Sequence, residues 1–109
     1  MTRQFMAVTS LLLGAALATA YAGAAEDPAA LASGAGCDTC HREAQPMLGP
    51  SWQAVAERYR DSDTALEDIS ARMREGSRGV WGRVPMPPVE PGQLTDDQLA
   101  IVLEWILTR

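Results

Sequence analysis

An all-α fold is the expectation from three features of the 109-residue chain. Apolar residues recur at helical spacing in several short stretches, most clearly at Trp52, Val55, Ala56 and Tyr59, which are i, i+3, i+4 and i+7. No stretch alternates apolar and polar residues as a half-buried strand would. Glycine and proline fall between the helical stretches as punctuation. There is no internal repeat.

The chain opens with Met1-Thr2-Arg3, followed by an apolar Ala/Leu-rich stretch from Phe5 to about Ala20. Small residues then offer A-x-A cleavage sites at Ala20/Ala22 or Ala22/Ala24. A basic start, a short apolar centre and a small-residue exit predict a secretory signal peptide over residues 1–24. Residues 25–109 would then form one domain. The competing reading is an uncleaved membrane anchor, since the apolar stretch nearly reaches spanning length. Its glycines and alanines make it weakly hydrophobic, and no cysteine lies near the exit to carry a lipid.

Cleavage near Ala24 leaves about 85 residues, a size that buries a modest core and usually needs a staple. That part holds 8 arginines, no lysine and 14 acidic residues, a balance of about −6. Such a balance argues against nucleic acid as a partner. It favours a partner with a basic patch, or docking through an uncharged edge.

The first helix is expected at Asp27-Pro28, a plausible N-cap with proline at the first helical position. It runs through Leu31 towards Gly34 and Gly36, just ahead of Cys37-Asp38-Thr39-Cys40-His41. This C-x-x-C-H run is the attachment signature of a c-type haem. Each thiol can add across one vinyl group, leaving two thioether bonds through Cys37 and Cys40. His41 follows at once and delivers an imidazole nitrogen to the iron as the proximal ligand. A thioredoxin-like pair should follow a strand in a βαβ pattern, and none is visible. A structural zinc site wants about four Cys or His ligands, whereas Cys37, Cys40 and His41 are the only such residues. A covalently held haem also supplies the missing staple, so folding is expected to be coupled to its attachment.

Gly49-Pro50-Ser51 ends a loop and starts the second helix, whose apolar stripe is Trp52, Val55, Ala56 and Tyr59. The third helix is expected from Ser62 or Asp63, burying Leu66, Ile69 and Met73 and stopping at Gly76. Residues 76–94 carry four glycines and four prolines, which predicts a long loop without regular structure. A loop of that length in a small domain needs a job. Thr95, with Gln98 three residues on, forms a capping box for the last helix, which presents Leu99, Val102, Leu103 and Ile106 on one face beside Trp105.

His41 is the only histidine and lysine is absent, so the far side of the iron is either open or takes a methionine from Met47, Met73 or Met86. Met47 lies a few residues after His41, on the proximal side. Met73 continues an apolar helical stripe, where methionine more often fills core. Met86 sits in Val84-Pro85-Met86-Pro87-Pro88, inside the loop that needs a job, with prolines fixing the backbone on both sides. Met86 is the favoured candidate; an exposed methionine in a proline-rich turn is the bland alternative.

At this point the chain resembles the small bacterial class I cytochromes c of the cytochrome c-551 type. The resemblance runs from about Glu26 to Arg109. It rests on Glu26-Asp27-Pro28, C-x-x-C-H at 37–41, Gly49-Pro50, Gly76-Ser77-Arg78-Gly79-Val80-Trp81-Gly82, Pro85-Met86-Pro87-Pro88 and the helix containing Trp105. It implies the class I cytochrome c fold, four or so short helices around one covalently attached haem c. It implies Met86 as distal ligand, with the carbonyl of Pro50 accepting the free ring N–H of His41. Arg72 and Trp81 match residues that hydrogen-bond a haem propionate. From the residues alone, Arg72 could instead pair with Asp68 four positions earlier, and Trp81 could be core. The chain departs from the pattern at Val89, where relatives often carry an asparagine bound to the methionine sulfur, and in Glu90-Pro91-Gly92-Gln93, which lengthens the loop. Ala32 and Arg83 also depart, standing where an aromatic residue and a proline are common.

With His41 and Met86 both bound, iron has no free site for substrate but can change between Fe(III) and Fe(II). The expected function is a periplasmic electron carrier, monomeric and without stable membrane association once the signal peptide is cut. The resemblance implies a quinol-oxidising complex as donor and nitrite reductase or a terminal oxidase as acceptor. Arg78 and Arg83, near the Met86 loop, are candidates for partner contact. The alternative is an open-site haem protein that binds small ligands or acts as a peroxidase, with Met86 detached. No second histidine or lysine stands ready as its acid–base partner.

Overall fold

The computed structural model of the chain describes residues 26–109, so the signal-peptide reading of residues 1–24 lies outside them. Four α-helices run in order: α1 (Pro28–Gly34), α2 (Trp52–Tyr59), α3 (Ala65–Glu75) and α4 (Asp96–Leu107), with one 3-10 turn at Cys37–Thr39 between α1 and α2. The all-α expectation holds, and the caps explain where the helices begin.

Asp27 starts α1 by accepting a hydrogen bond from the Ala29 N–H at 3.1 Å, with Pro28 in the first turn. Gly36, at φ 85°, then turns the chain into the 3-10 turn. Ser51 caps α2 through its hydroxyl, which accepts from the Ala54 N–H at 3.0 Å. Thr95 caps α4 in a complete capping box with Gln98, and Asp96 and Asp97 place negative charge at the helix N-terminus.

The third helix corrects two expectations. It starts at Ala65, later than Ser62 or Asp63, because residues 62–65 first close a turn in which the Ala65 N–H reaches the Ser62 carbonyl at 3.4 Å; the Thr64 hydroxyl is turned to Asp68 (2.9 Å) and makes no cap to the backbone. Its inward stripe is Ala65, Ile69 and Met73, at i, i+4 and i+8. Leu66 lies one residue off that stripe and is 42% exposed. The small Ala65 takes the inward position instead.

The segment from Gly76 to Leu94 is also more ordered than its composition suggests. Ser77 and Met86 form an isolated antiparallel bridge through two backbone hydrogen bonds, at 3.0 and 2.8 Å. Residues 78–85 are a closed loop on that bridge. Val89 then donates its N–H to the Met73 carbonyl at 2.7 Å, which satisfies an acceptor that the end of α3 would otherwise leave free.

The core is built on α4, which packs against α1, α2 and α3. Leu94, Val102 and Leu103 are the largest fully buried side chains. Ala32, Trp52, Val55, Ile69, Met73, Val89, Leu99 and Ile106 complete one cluster. Among the described residues no helix is long and apolar enough to cross a membrane.

Candidate functional site

The 3-10 turn brings the C-x-x-C-H residues together. The carbonyl of Cys37 accepts from the Cys40 N–H at 3.2 Å and the His41 N–H at 3.0 Å, so five residues make a tight bend. Asp38 helps hold it: its carboxylate accepts from the Ser33 hydroxyl at 2.8 Å, and its carbonyl accepts from Arg42. Both cysteines are half-buried, and no disulfide joins them. Burial pushes the Cys37 thiol upward from its ordinary value, and the Asp38 carboxylate adds to the shift.

His41 is buried, and three neighbours fix its ring. Its Nδ1 lies 2.7 Å from the Pro50 carbonyl oxygen. A carbonyl can only accept, so Nδ1 carries the N–H and the Nε2 lone pair is left for a metal. Trp52 stacks on the ring with centroids 4.6 Å apart and planes 20° from parallel. Trp105 meets Trp52 edge-on at 5.8 Å. On another side, a Cβ at Gly49 would lie 2.6 Å from the His41 Cε1. Only glycine leaves room for the ring in this position.

Met86 is half-buried against the core, and its backbone is pinned by the bridge to Ser77. Met86, Cys37, Cys40, His41, Pro50, Arg72 and Trp81 all border one cleft of about 950 Å³, counted to its open mouth. Val55, Tyr59, Ile69, Val80, Val84 and Ile106 contribute apolar walls. Two thiols and an imidazole with a free Nε2 on an apolar cleft are the groups that attachment of a c-type haem requires, and the Met86 thioether borders the same cleft. The other two methionines among the described residues differ in placement. Met47 is 47% exposed and borders a neighbouring shallow hollow, whereas Met73 borders the cleft but belongs to the buried stripe of α3.

Arg72 stands exposed at the edge of the cleft. It makes no ion pair among the described residues, and Asp68 is engaged by Thr64, so the simple helix pair is not formed. Trp81 is 42% exposed, which removes the reading of it as core. Arg58 lies over its ring at 4.6 Å and donates to the Val80 carbonyl at 3.0 Å.

Three residues of the site were not read from the sequence as part of it. Trp52 was legible only as the apolar face of α2, since stacking on His41 depends on how the loop before it closes. Gly49 stood in the Gly49-Pro50 motif, but nothing in the spacing signals contact with the imidazole. Arg74 carries no signal in the sequence, where it stands as one arginine among several near the end of a helix. It instead donates to the carbonyls of Val89 (3.0 Å) and Leu94 (2.8 Å) and to the Asp96 carboxylate (2.8 Å).

Comparison with known proteins agrees with this architecture. The cytochrome c family model matches residues 25–109. The chain is 41% identical to cytochrome c2 of Rubrivivax gelatinosus over 80 residues, covering 73% of this chain and 94% of that protein. It is 35% identical to cytochrome c-551 of Pseudomonas aeruginosa over 85 residues, covering 78% of this chain and 79% of the relative. The crystal structure of Nitrosomonas europaea cytochrome c552 superposes with a TM-score of 0.68 at 35% identity, covering 73% of this chain and 96% of that one. The chain therefore belongs to the cytochrome c family of electron-transfer proteins, with haem c attached covalently through Cys37 and Cys40.

Proposed function

We propose that His41 and Met86 are the two axial ligands of the haem iron, and that the chain carries single electrons between periplasmic or membrane respiratory enzymes. The observation that carries this reading is the common cleft. Cys37, Cys40 and His41 enter it from one side of the sequence, and Met86 enters it on a backbone fastened to the end of α3.

The haem supplies the one-electron Fe(III)/Fe(II) couple. His41 presents Nε2 in a ring held by the Pro50 carbonyl, Trp52 and Gly49, so the ligand has one orientation in both oxidation states. Met86 offers a soft, uncharged sulfur, which together with the apolar walls favours the reduced form and raises the potential. Arg72 and Trp81, at the cleft edge, are the propionate partners. Residues 1–24 act as a signal peptide that exports residues 25–109 to the periplasm. A quinol-oxidising complex is the donor, and nitrite reductase or a terminal oxidase is the acceptor. From Gly76 to Val89 there is no acidic residue, while Arg78 and Arg83 are exposed. The loop at the cleft is thus locally positive on a chain that is acidic as a whole, which suits it for partner contact.

The test is the visible spectrum of the oxidised holoprotein, extended to the far red, beside Met86→Ala. A weak far-red band in the parent that vanishes in the variant is expected. A parent spectrum without the band, altered readily by carbon monoxide after reduction, would favour an open site and remove the carrier reading.

A further inference from the structure

We infer that Arg74 is a positioning residue for Met86, holding the far end of the segment that presents the thioether to the cleft. This rests on the reading of Met86 as a ligand. The segment Met86-Pro87-Pro88-Val89 is fastened at both ends to one place, the C-terminal end of α3. At its start, the backbone N–H and carbonyl of Met86 are both engaged by Ser77, at 2.8 and 3.0 Å. At its end, the Val89 N–H donates to the Met73 carbonyl at 2.7 Å and the Val89 carbonyl accepts from Arg74 Nη1 at 3.0 Å. Pro87 and Pro88 fix φ between the two attachments and carry no N–H of their own. Four residues are therefore closed into a short span with little freedom, and Arg74 makes the last of its four polar attachments.

The same guanidinium also orders the chain between Val89 and α4. Its Nη2 donates to the Leu94 carbonyl and to Asp96 Oδ1, both at 2.8 Å, so it closes residues 90–93 into a turn. That turn has its own bonds, from the Gln93 N–H to the Glu90 carbonyl at 2.9 Å and from the Glu90 N–H to Gln93 Oε1 at 2.8 Å. The lengthened loop is thus folded away from the cleft, and Val89, where relatives often carry the sulfur-binding asparagine, is buried in the core. Support for Met86 comes here through the backbone and one arginine. The geometry needs a planar fork that reaches three acceptors at once, which lysine does not offer.

The experiment uses the oxidised holoprotein with three variants: Arg74→Ala, Arg74→Lys and Asp96→Asn. Two quantities are read, the rate at which added cyanide replaces the methionine and the hydrogen exchange of the Met86 and Val89 amides. Arg74→Ala should accelerate both by about tenfold, the factor expected from losing a charge-assisted hydrogen bond to a backbone carbonyl. Arg74→Lys should lie between it and the parent. Asp96→Asn should stay within about twofold, because the exposed ion pair contributes little by itself. The accelerated amide exchange should be independent of denaturant, the mark of local opening. Unchanged rates in Arg74→Ala would overturn the inference, as would acceleration that rises only with global unfolding. The ligand reading fails separately, if the far-red band is missing from the parent or survives Met86→Ala; amide exchange would then still report whether Arg74 holds the segment.

Discussion

Replacing Gly49 with alanine tests how tightly the proximal side is built. The backbone at Gly49 has no positive φ, so alanine meets no conformational penalty there and the effect is one of contact alone. The added Cβ would sit 2.6 Å from His41 Cε1, 2.9 Å from Nδ1 and 3.2 Å from Nε2. The first of these is 0.8 Å short of the 3.4 Å at which ordinary contact begins. The ring cannot simply slide, because Trp52 stacks on it and the Pro50 carbonyl holds Nδ1. It must either give up the 2.7 Å hydrogen bond or push the Gly49-Pro50 backbone away.

Overpacking of this kind costs about 1–3 kcal/mol, and a buried N–H left without its acceptor costs about 1–3 kcal/mol more. The two partly exclude each other, since moving the backbone could relieve the clash, so a loss of about 2–4 kcal/mol is expected. For a domain of this size that lowers Tm by about 10 °C or more. The assay is guanidinium unfolding of the holoprotein, with the proton NMR signal of the His41 Nδ1–H read in the same samples. Gly34→Ala is the control, since a Cβ there meets nothing within 4 Å, and it should be neutral or slightly stabilising in a helix. A loss below about 0.5 kcal/mol in Gly49→Ala, with the ring signal unmoved, would show that the cradle around His41 is looser than described.

Other positions give simpler tests. Leu103→Ala, in the fully buried centre of α4, should cost about 2–5 kcal/mol, whereas exposed Leu66→Ala should change stability by no more than about 0.5 kcal/mol; similar losses for the two would contradict the burial of α3. Gly76 has φ 83° and ψ 165°, and a Cβ would lie 3.1 Å from the Met86 carbonyl oxygen. Gly76→Ala should therefore cost about 1–3 kcal/mol in strain and weaken the far-red band, and a variant with parental stability and spectrum would show the bridge to be dispensable. Replacing Arg78 and Arg83 together by glutamine should slow oxidation of the reduced protein by ferricyanide at low ionic strength, with the difference shrinking as salt is added; equal rates at every ionic strength would remove their steering role.

Much of this arrangement was legible because it depends on local chemistry. The caps at Asp27, Ser51 and Thr95 each act within three residues, so composition and order suffice to find them. The C-x-x-C-H turn is likewise a five-residue object. What escaped reading depends on contacts distant in sequence. Ala65 displaces Leu66 from the core because of where the preceding turn delivers the helix, and no stripe drawn on α3 alone decides between them. The bridge between Ser77 and Met86 spans a loop whose glycines and prolines signal only that it is not a helix.

The proximal and distal sides of the cleft are therefore supported by different means, and the sequence reveals them unequally. On the proximal side the supports are side-chain-specific. A glycine makes room, a proline carbonyl accepts and a tryptophan stacks, so each leaves a residue type in the sequence. On the distal side the hydrogen bonds run between backbone groups of Met73, Ser77, Met86 and Val89, which most residue types could supply, while Gly76, Pro87 and Pro88 shape the chain between them. Only Arg74 adds a side chain, and it does so from 15 positions before its Val89 acceptor. A substitution at Val89 that looks like the loss of an anchor can consequently leave Met86 well held. In this chain the hold on Met86 comes less from the side chain after Met-Pro-Pro than from how the end of α3 binds the segment that carries it.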